Sequence, residues 1–351
     1  MRLACFSIRG AMRTALRYFL NGSMVALLLW QSGCGAFELS WLHRPNTVKQ
    51  NIEKNDWSNW IVCPTMSLSS TGIKHDVFCL RDVSSNGTHP KPPVLLLHEL
   101  TGLTPQTLRY AMELSEDFTV YIPMLFGSFG EESALRGPWA YWIGPWVFWT
   151  RQEWSVPSEG STPMVKWLRD VVSSIERKHG PWPIRIIGNC MTGALPLALL
   201  DNAHVDAVVV AQPALPMRFW WWHIDEDYSS LGLSNDDLVA AQKSKAKILA
   251  LRFETDRISP QTKLKALQWR FGDRLSVVEL CARDYDPEGK QVRPHSTLIG
   301  EYDAVQDGVR QQSKNAREAV RRFLLEPTNT AVGNHSCVSK VNRGGALESV
   351  R

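Results

Sequence analysis

Through the middle of the chain, unbroken apolar runs alternate with stretches whose apolar residues recur at helical spacing. Residues 94–98 form such a run, as a strand buried on both faces of a parallel sheet requires. Residues 103–117 read as a helix and 118–123 as the next strand. Within 164–178, Val165, Leu168, Val171, Val172 and Ile175 share a helical face, and Gly180 marks the end. Residues 184–190, 205–211, 248–253 and 275–280 are further strands, and 304–325 reads as a charged amphipathic helix. Residues 60–64 and 74–80 read as edge strands, followed at 82–93 by a loop rich in Ser, Asn, Gly and Pro. This alternation predicts an α/β fold, a three-layer sandwich with a mostly parallel sheet.

In such sheets the chemistry sits at the carboxyl ends of the strands. The 184–190 strand runs into Gly188-Asn189-Cys190-Met191-Thr192-Gly193, with 194–200 as a helix candidate behind it. Gly-x-Cys-x-x-Gly at that place is the layout of a nucleophile elbow, with Cys where Ser is usual. Small residues flank such a turn because neighbouring backbone passes close to it. A free Cys closing a core strand leaves the same trace, since Cys is among the most buried residue types. Glu99 and Leu100 follow the 94–98 strand, Asp256 follows 248–253, and His295 lies beyond 275–280. The chain order of nucleophile, acid and base is that of α/β-hydrolase triads. In that chemistry His295 takes the Cys190 proton and later protonates the leaving group, while Asp256 holds the imidazole tautomer. The backbone N–H groups of Met191 and Leu100 are the candidate oxyanion donors. Taken singly, Asp256 also reads as a turn residue, Glu99 as a solvated carboxylate, and His295 as one of nine histidines. Their common placement at strand ends is what singles them out.

On these residues the chain resembles the dienelactone hydrolase family of α/β-hydrolases over roughly 90–325. His98-Glu99-Leu100-Thr101-Gly102 is similar to that family's His-Glu-x-x-Gly motif, and 188–193 to its Gly-x-Cys-x-Gly-Gly elbow. Asp256 before Ile258-Ser259-Pro260 resembles the acid-bearing turn, and His295 the base. The resemblance implies an α/β-hydrolase sandwich, a Cys-His-Asp triad, and a resting thiol held by Glu99. Thr192 departs from the family pattern by standing where it has Gly, and its carboxylate-binding arginines have no secure counterpart; Arg293 lies near the base.

Two tryptophan-rich segments interrupt the alternation, near 125–162 and 215–243. The first holds Trp139, Trp142, Trp146 and Trp149; the second holds Trp220, Trp221 and Trp222. Both follow sheet strands, so they are expected to form lid insertions lining an aromatic pocket, with Trp142, Trp146, Trp221 and Arg293 as substrate-binding candidates. Packing of these aromatics on each other, or on a membrane surface, is the competing expectation.

Charge adds little: 39 Lys and Arg against 35 Asp and Glu give a net +4, which implies no nucleic-acid partner. Seven cysteines without Cys-x-x-Cys spacing support no zinc site and no thioredoxin motif, and no cofactor is implied. A Cys63–Cys79 bridge is compatible with an oxidising compartment. Arg2, Arg9, Arg13 and Arg17, then the apolar 24–30 and the small residues around Cys34, have signal-peptide architecture. Ser32-Gly33-Cys34 resembles a lipoprotein signal, so export with membrane attachment through the N-terminus is expected. An uncleaved helix, or a start at Met12 or Met24, stays open beside it. The expected organisation is a signal over 1–34, a linker over 35–55, a hydrolase domain over 56–326 and a disordered tail over 327–351. The expected activity is thiol-dependent cleavage of a small-molecule ester, lactone or thioester. An inactive envelope binding protein on the same scaffold is the rival reading.

Overall fold

The computed structural model describes residues 57–63, 75–80, 91–99, 102–127, 129–130, 154, 160–216, 229–281, 295–299 and 307–327. All belong to the unit Pro45–Arg351, one of two into which the chain divides. The expected signal and linker, and residues 328–351 of the tail expected over 327–351, lie outside the described residues.

Eight strands form one sheet: β1 (Trp60–Val62), β2 (Val77–Leu80), β3 (Pro93–Leu97), β4 (Thr119–Pro123), β5 (Ile184–Asn189), β6 (Val205–Ala211), β7 (Lys247–Phe253) and β8 (Leu275–Leu280). Their order across the sheet is β1-β2-β4-β3-β5-β6-β7-β8. β2 is antiparallel to both neighbours, and every pairing from β4 to β8 is parallel.

The helices are α1 (Pro105–Leu114), α2 (Pro163–His179), α3 (Asn235–Lys243), α4 (Gln261–Phe271) and α5 (Asp307–Leu325). They cover both faces, because alternate residues of each strand point to opposite sides. Leu95, Leu97, Ile184, Ile186, Val208, Val210, Ile248 and Ala250 pack under α2, α3 and α4. Val94, Leu96, Ile187, Val209, Leu249 and Leu251 pack under α1 and α5. The result is the three-layer α/β sandwich with a mostly parallel sheet that the alternation predicts. No helix among the described residues is long and apolar enough to cross a membrane.

Helix starts follow simple chemistry. Thr104, Thr162 and Ser234 accept hydrogen bonds from the first-turn N–H groups of Thr107, Val165 and Asp237, and prolines open α1 and α2. The sequence pattern leaves α3 and α4 unmarked. In α3 the fully or nearly buried positions are Asp237, Leu238 and Ala241, and in α4 a lysine, Lys263, joins Leu264, Leu267 and Phe271 on the buried side. Polar residues on the inner face blur the apolar stripe from which a helix is read. Residues 235–243 of the second expected insertion are therefore a layer helix between β6 and β7. The helix expected over 194–200 is instead a 3-10 segment, Leu195–Leu199. Pro196 has no N–H to donate, and the short stretch closes with the tighter turn.

Candidate active site

β5 ends at Asn189, and Cys190 turns the chain with φ 53. A non-glycine residue in the left-handed region is strained and persists only where its surroundings impose it. Here both flanks impose it. A Cβ on Gly188 would strike the Thr192 carbonyl and sit 2.7 Å from Pro196 Cδ. A Cβ on Gly193 would lie 2.7 Å from both the Ala211 carbonyl oxygen and Pro213 Cα. The turn therefore nests against the end of β6, where Gly193 N (2.9 Å) and Ala214 N (2.8 Å) both donate to the Cys190 carbonyl. The Met191 N–H is engaged by none of the hydrogen bonds among the described residues, and it follows directly on the thiol.

Thr192, which stands where the elbow it resembles has Gly, turns its hydroxyl to the end of β3. Its fully buried hydroxyl accepts from Asn189 N at 3.0 Å and lies 3.1 Å from the carbonyls of both Leu97 and His98. Asn189 Nδ2 adds a bond of 3.0 Å to Leu97 O. The two residues stitch the elbow to the end of β3.

Past β7, Asp256 is 3 % exposed. Its Oδ1 accepts from Ile258 N at 2.9 Å and Ser259 N at 3.1 Å, which leaves Oδ2 for His295 Nδ1 at 2.7 Å. The carboxylate thus puts the imidazole proton on Nδ1 and leaves Nε2 facing away from Asp256, as a general base needs. The Cys190 sulfur acts on the ring by charge and by hydrogen bonding. Nε2 nevertheless lacks a partner at regular hydrogen-bond geometry, so the thiol–imidazole approach is long or oblique, as it often is before substrate binds. Burial opposes charging of His295, but Cys190 and Asp256 outweigh it and hold the ring well above the ordinary histidine range.

The turn that presents Asp256 hangs on a buried arginine. Arg252 Nε donates to Ser259 O at 3.0 Å, Nη2 to the carbonyls of Glu254 (3.1 Å) and Asp256 (3.3 Å), and Nη1 pairs with Glu279.

Glu99 is half-buried at the end of β3. Ser296 Oγ donates to its Oε1 at 3.0 Å and Gln212 Nε2 to its Oε2 at 3.4 Å. Burial pushes the carboxyl above its ordinary value, against the His295 charge and these two bonds. The side-chain hydrogen bonds of Glu99 among the described residues go to the histidine loop and to Gln212, just past β6, with none to the Cys190 thiol. Just before it, His98 is fully buried: Leu125 N donates to Nε2 at 3.0 Å, so the proton sits on Nδ1, 3.0 Å from Glu99 O. Burial, opposed by the Glu99 bond and helped by His75, brings its pKa down to about 4. His98 is thus a neutral brace between the ends of β3 and β4.

Cys190, Asp256, His295, Glu99 and Met191 are therefore gathered at one end of the sheet from β3, β5, β7 and the loop past β8. Leu100, Trp142, Trp146, Trp221 and Arg293 lie outside the described residues. Of the first tryptophan-rich segment, Trp154 is described: it is 9 % exposed, with its ring 5.9 Å from that of Phe126. Sequence reasoning passes over Gln212, although it stands directly after the apolar run 205–211, where the strand-end rule points. It also passes over Arg252, which is an inward-facing charge within a strand and carries no sequence signal of its partners.

No protein-family model matches the chain, and no curated protein is significantly similar to it. Solved structures similar to it include a dienelactone hydrolase-like promiscuous phosphotriesterase from metagenomic libraries, at 16% identity over 72% of this chain and 94% of that one, TM-score 0.44. Est1E from Butyrivibrio proteoclasticus is 14% identical over 76% and 97%, TM-score 0.43. An α/β serine hydrolase homologue from Coxiella burnetii is 10% identical over 76% and 96%, TM-score 0.42.

Proposed function

We propose that the protein is a dienelactone-hydrolase-like thiol hydrolase acting on an ester, lactone or thioester. The observation that carries this is the strained Cys190 turn beside a histidine whose Nδ1 is held 2.7 Å from Asp256. In this reading the Cys190 thiolate attacks the carbonyl carbon, and the oxyanion that forms is met by the Met191 N–H. The C–O or C–S bond of the substrate then breaks, and the His295 imidazolium gives its proton to the leaving oxygen or sulfur. A thioester acyl-enzyme remains. His295, now neutral, takes a proton from water, and the hydroxide displaces Cys190 as thiolate. Asp256 holds one tautomer throughout.

Leu100 as second oxyanion donor, and Trp142, Trp146, Trp221 and Arg293 as pocket residues, belong to the same reading. So does Glu99, with one change. Its bonds to Ser296 and Gln212 favour a role in setting the histidine loop over direct restraint of the thiol. The Cys63–Cys79 disulfide supports export, because such bonds persist in oxidising compartments. Membrane attachment at Cys34 is the further part of that proposal.

The test is hydrolysis of aryl esters and an unsaturated lactone by the full chain beside Cys190→Ala. Activity that disappears with the thiol supports the reading. Equal activity in both sinks the thiol mechanism, and no activity in either, with a folded protein, favours the binding-protein reading.

A further inference from the structure

The loop that carries His295 is placed by side chains. Among its described residues 295–299 no helix or strand forms. Four residues close a ring there. Ser296 Oγ donates to Glu99 Oε1 at 3.0 Å, Gln212 Nε2 donates to Glu99 Oε2 at 3.4 Å, and Thr297 donates to Gln212 Oε1 both from its N–H, at 3.3 Å, and from its hydroxyl. The two Thr297 donors fix the orientation of the Gln212 amide, since only its oxygen can accept them. The NH2 group is then left for Glu99.

Gln212 is itself held rigidly. It is fully buried, as is Thr297, and its backbone has φ 34. Its N–H donates to Leu251 O of β7 at 2.7 Å, two residues before that strand gives way to the Asp256 turn. Two residues past it, Ala214 N donates to the Cys190 carbonyl. One residue therefore sits between the support of the thiol, the strand that leads to the acid, and the loop of the base. Strain in a buried polar residue with every side-chain group engaged is the mark of a site that its surroundings over-determine.

We infer that Gln212 is a positioning residue: its amide ties the His295 loop to the Glu99 carboxylate and so fixes the imidazole between Cys190 and Asp256. The inference deepens the thiol-hydrolase reading and rests on it for its kinetic consequence, though not for its structural one. The titratable groups facing His295 among the described residues are Cys190 from the elbow, Asp256 from the turn past β7, and Glu99 from the end of β3. Loosening the ring changes how His295 meets all three.

Two variants of the full chain test it. Gln212→Leu removes both arms of the amide; Thr297→Val removes only the hydroxyl arm and keeps shape and N–H. The first readout is the titration midpoint of the His295 ring by NMR on histidine-labelled protein. The second is the rate of Cys190 alkylation by iodoacetamide across pH, quantified at that residue by peptide mass spectrometry. In folded variants the midpoint should move by about half a unit or more, and alkylation at pH 7 should slow about three- to tenfold. Thr297→Val should give the smaller effect in the same direction. Folded variants with the wild-type midpoint and alkylation rate overturn the inference. Should Gln212→Leu fail to fold, Thr297→Val decides alone. If Cys190→Ala keeps full ester hydrolysis, the thiol reading fails, and the His295 midpoint still judges Gln212 separately.

Discussion

The hydroxyl of Thr192 lies 3.1 Å from the carbonyl oxygen of His98, joining the turn behind the thiol to the strand end that presents Glu99. The side chain at this step of the elbow is thereby held against the end of β3. Thr192 accepts from Asn189 N and faces three carbonyls, those of Leu97, His98 and Asn189, with its one proton. The methyl group and the hydroxyl are both fully buried.

Thr192→Val keeps the shape and removes the acceptor for Asn189 N. A buried N–H without a partner costs about 1–3 kcal/mol, so urea unfolding should show a loss of that order. Thr192→Ser keeps the hydroxyl and should lose much less. A larger loss in Thr192→Ser than in Thr192→Val would mean that packing of the methyl, and not the hydrogen bonds, matters here.

Much of this arrangement is legible in the sequence. β6 and β8 run over the residues that the apolar pattern marks, and the other parallel strands differ by a single residue at one end, or in β3 at both. Unbroken apolar runs of that kind have few alternatives to a strand buried on both faces. The two glycines of the elbow are legible too, because close backbone approach forbids a side chain at each. What is not legible is the polar bracing. Gln212, Thr297, Arg252 and the Thr192 hydroxyl act on residues far away in sequence, and nothing in the neighbours of Gln212 announces Glu99. Hydrogen-bond partners of that kind are set by the fold, so they become visible only after it. α3 and α4 were hidden for a related reason: Asp237 and Lys263 occupy inward positions where the periodic signal expects apolar residues.

Asp237 and Lys263 keep their inward positions through specific partners. His98 keeps its own by remaining neutral, and this has a pH consequence. Its folded-state pKa of about 4 lies below the ordinary 6.5. Between those values the unfolded chain takes up a proton that the folded one refuses, so this group lowers stability as pH falls from about 6.5 to about 4. Above 6.5 it contributes no slope. The full difference corresponds to about 3 kcal/mol. His98→Gln cannot titrate. It should be less stable than wild type at pH 7, and the gap between the two should narrow towards pH 4. Urea midpoints at a series of pH values measure this. A gap that is constant with pH would show that His98 is protonated within the fold.

The Cys63–Cys79 bridge spans a sequence separation of 16 and joins the end of β1 to β2, where Cys63 N also donates to Val77 O at 2.8 Å. Closing a loop of that length restricts the unfolded chain and is worth about 3 kcal/mol. Cys63→Ser and Cys79→Ser should each lower the unfolding midpoint, by the same amount as one another, and a reductant should lower the wild-type midpoint at least that far. Because β1 and β2 lie at the sheet edge away from β5, kcat at a temperature where the fold persists should be unchanged. A wild-type midpoint indifferent to reductant would show that the bridge does not form in solution.

Arg252 is the support on which the acid depends. Its guanidinium reaches three carbonyl oxygens around the Asp256 turn and the Glu279 carboxylate together, a fork that a single ammonium cannot reproduce. Arg252→Lys keeps the charge facing Glu279 and frees most of the turn. Arg252→Met removes the charge as well and leaves Glu279, one-third exposed, without its partner. The buried carbonyls lose their donors in both, so both should be destabilised, Met by about 3 kcal/mol and Lys by less. The kinetic expectation is separate. In the proposed mechanism Asp256 orients His295 and does not touch substrate, so a loosened turn should lower kcat for aryl esters about tenfold while KM changes little. An unchanged kcat in a destabilised Arg252→Lys would confine the arginine to holding the fold. A parallel fall in kcat and rise in KM would instead mean that the turn shapes the substrate pocket directly.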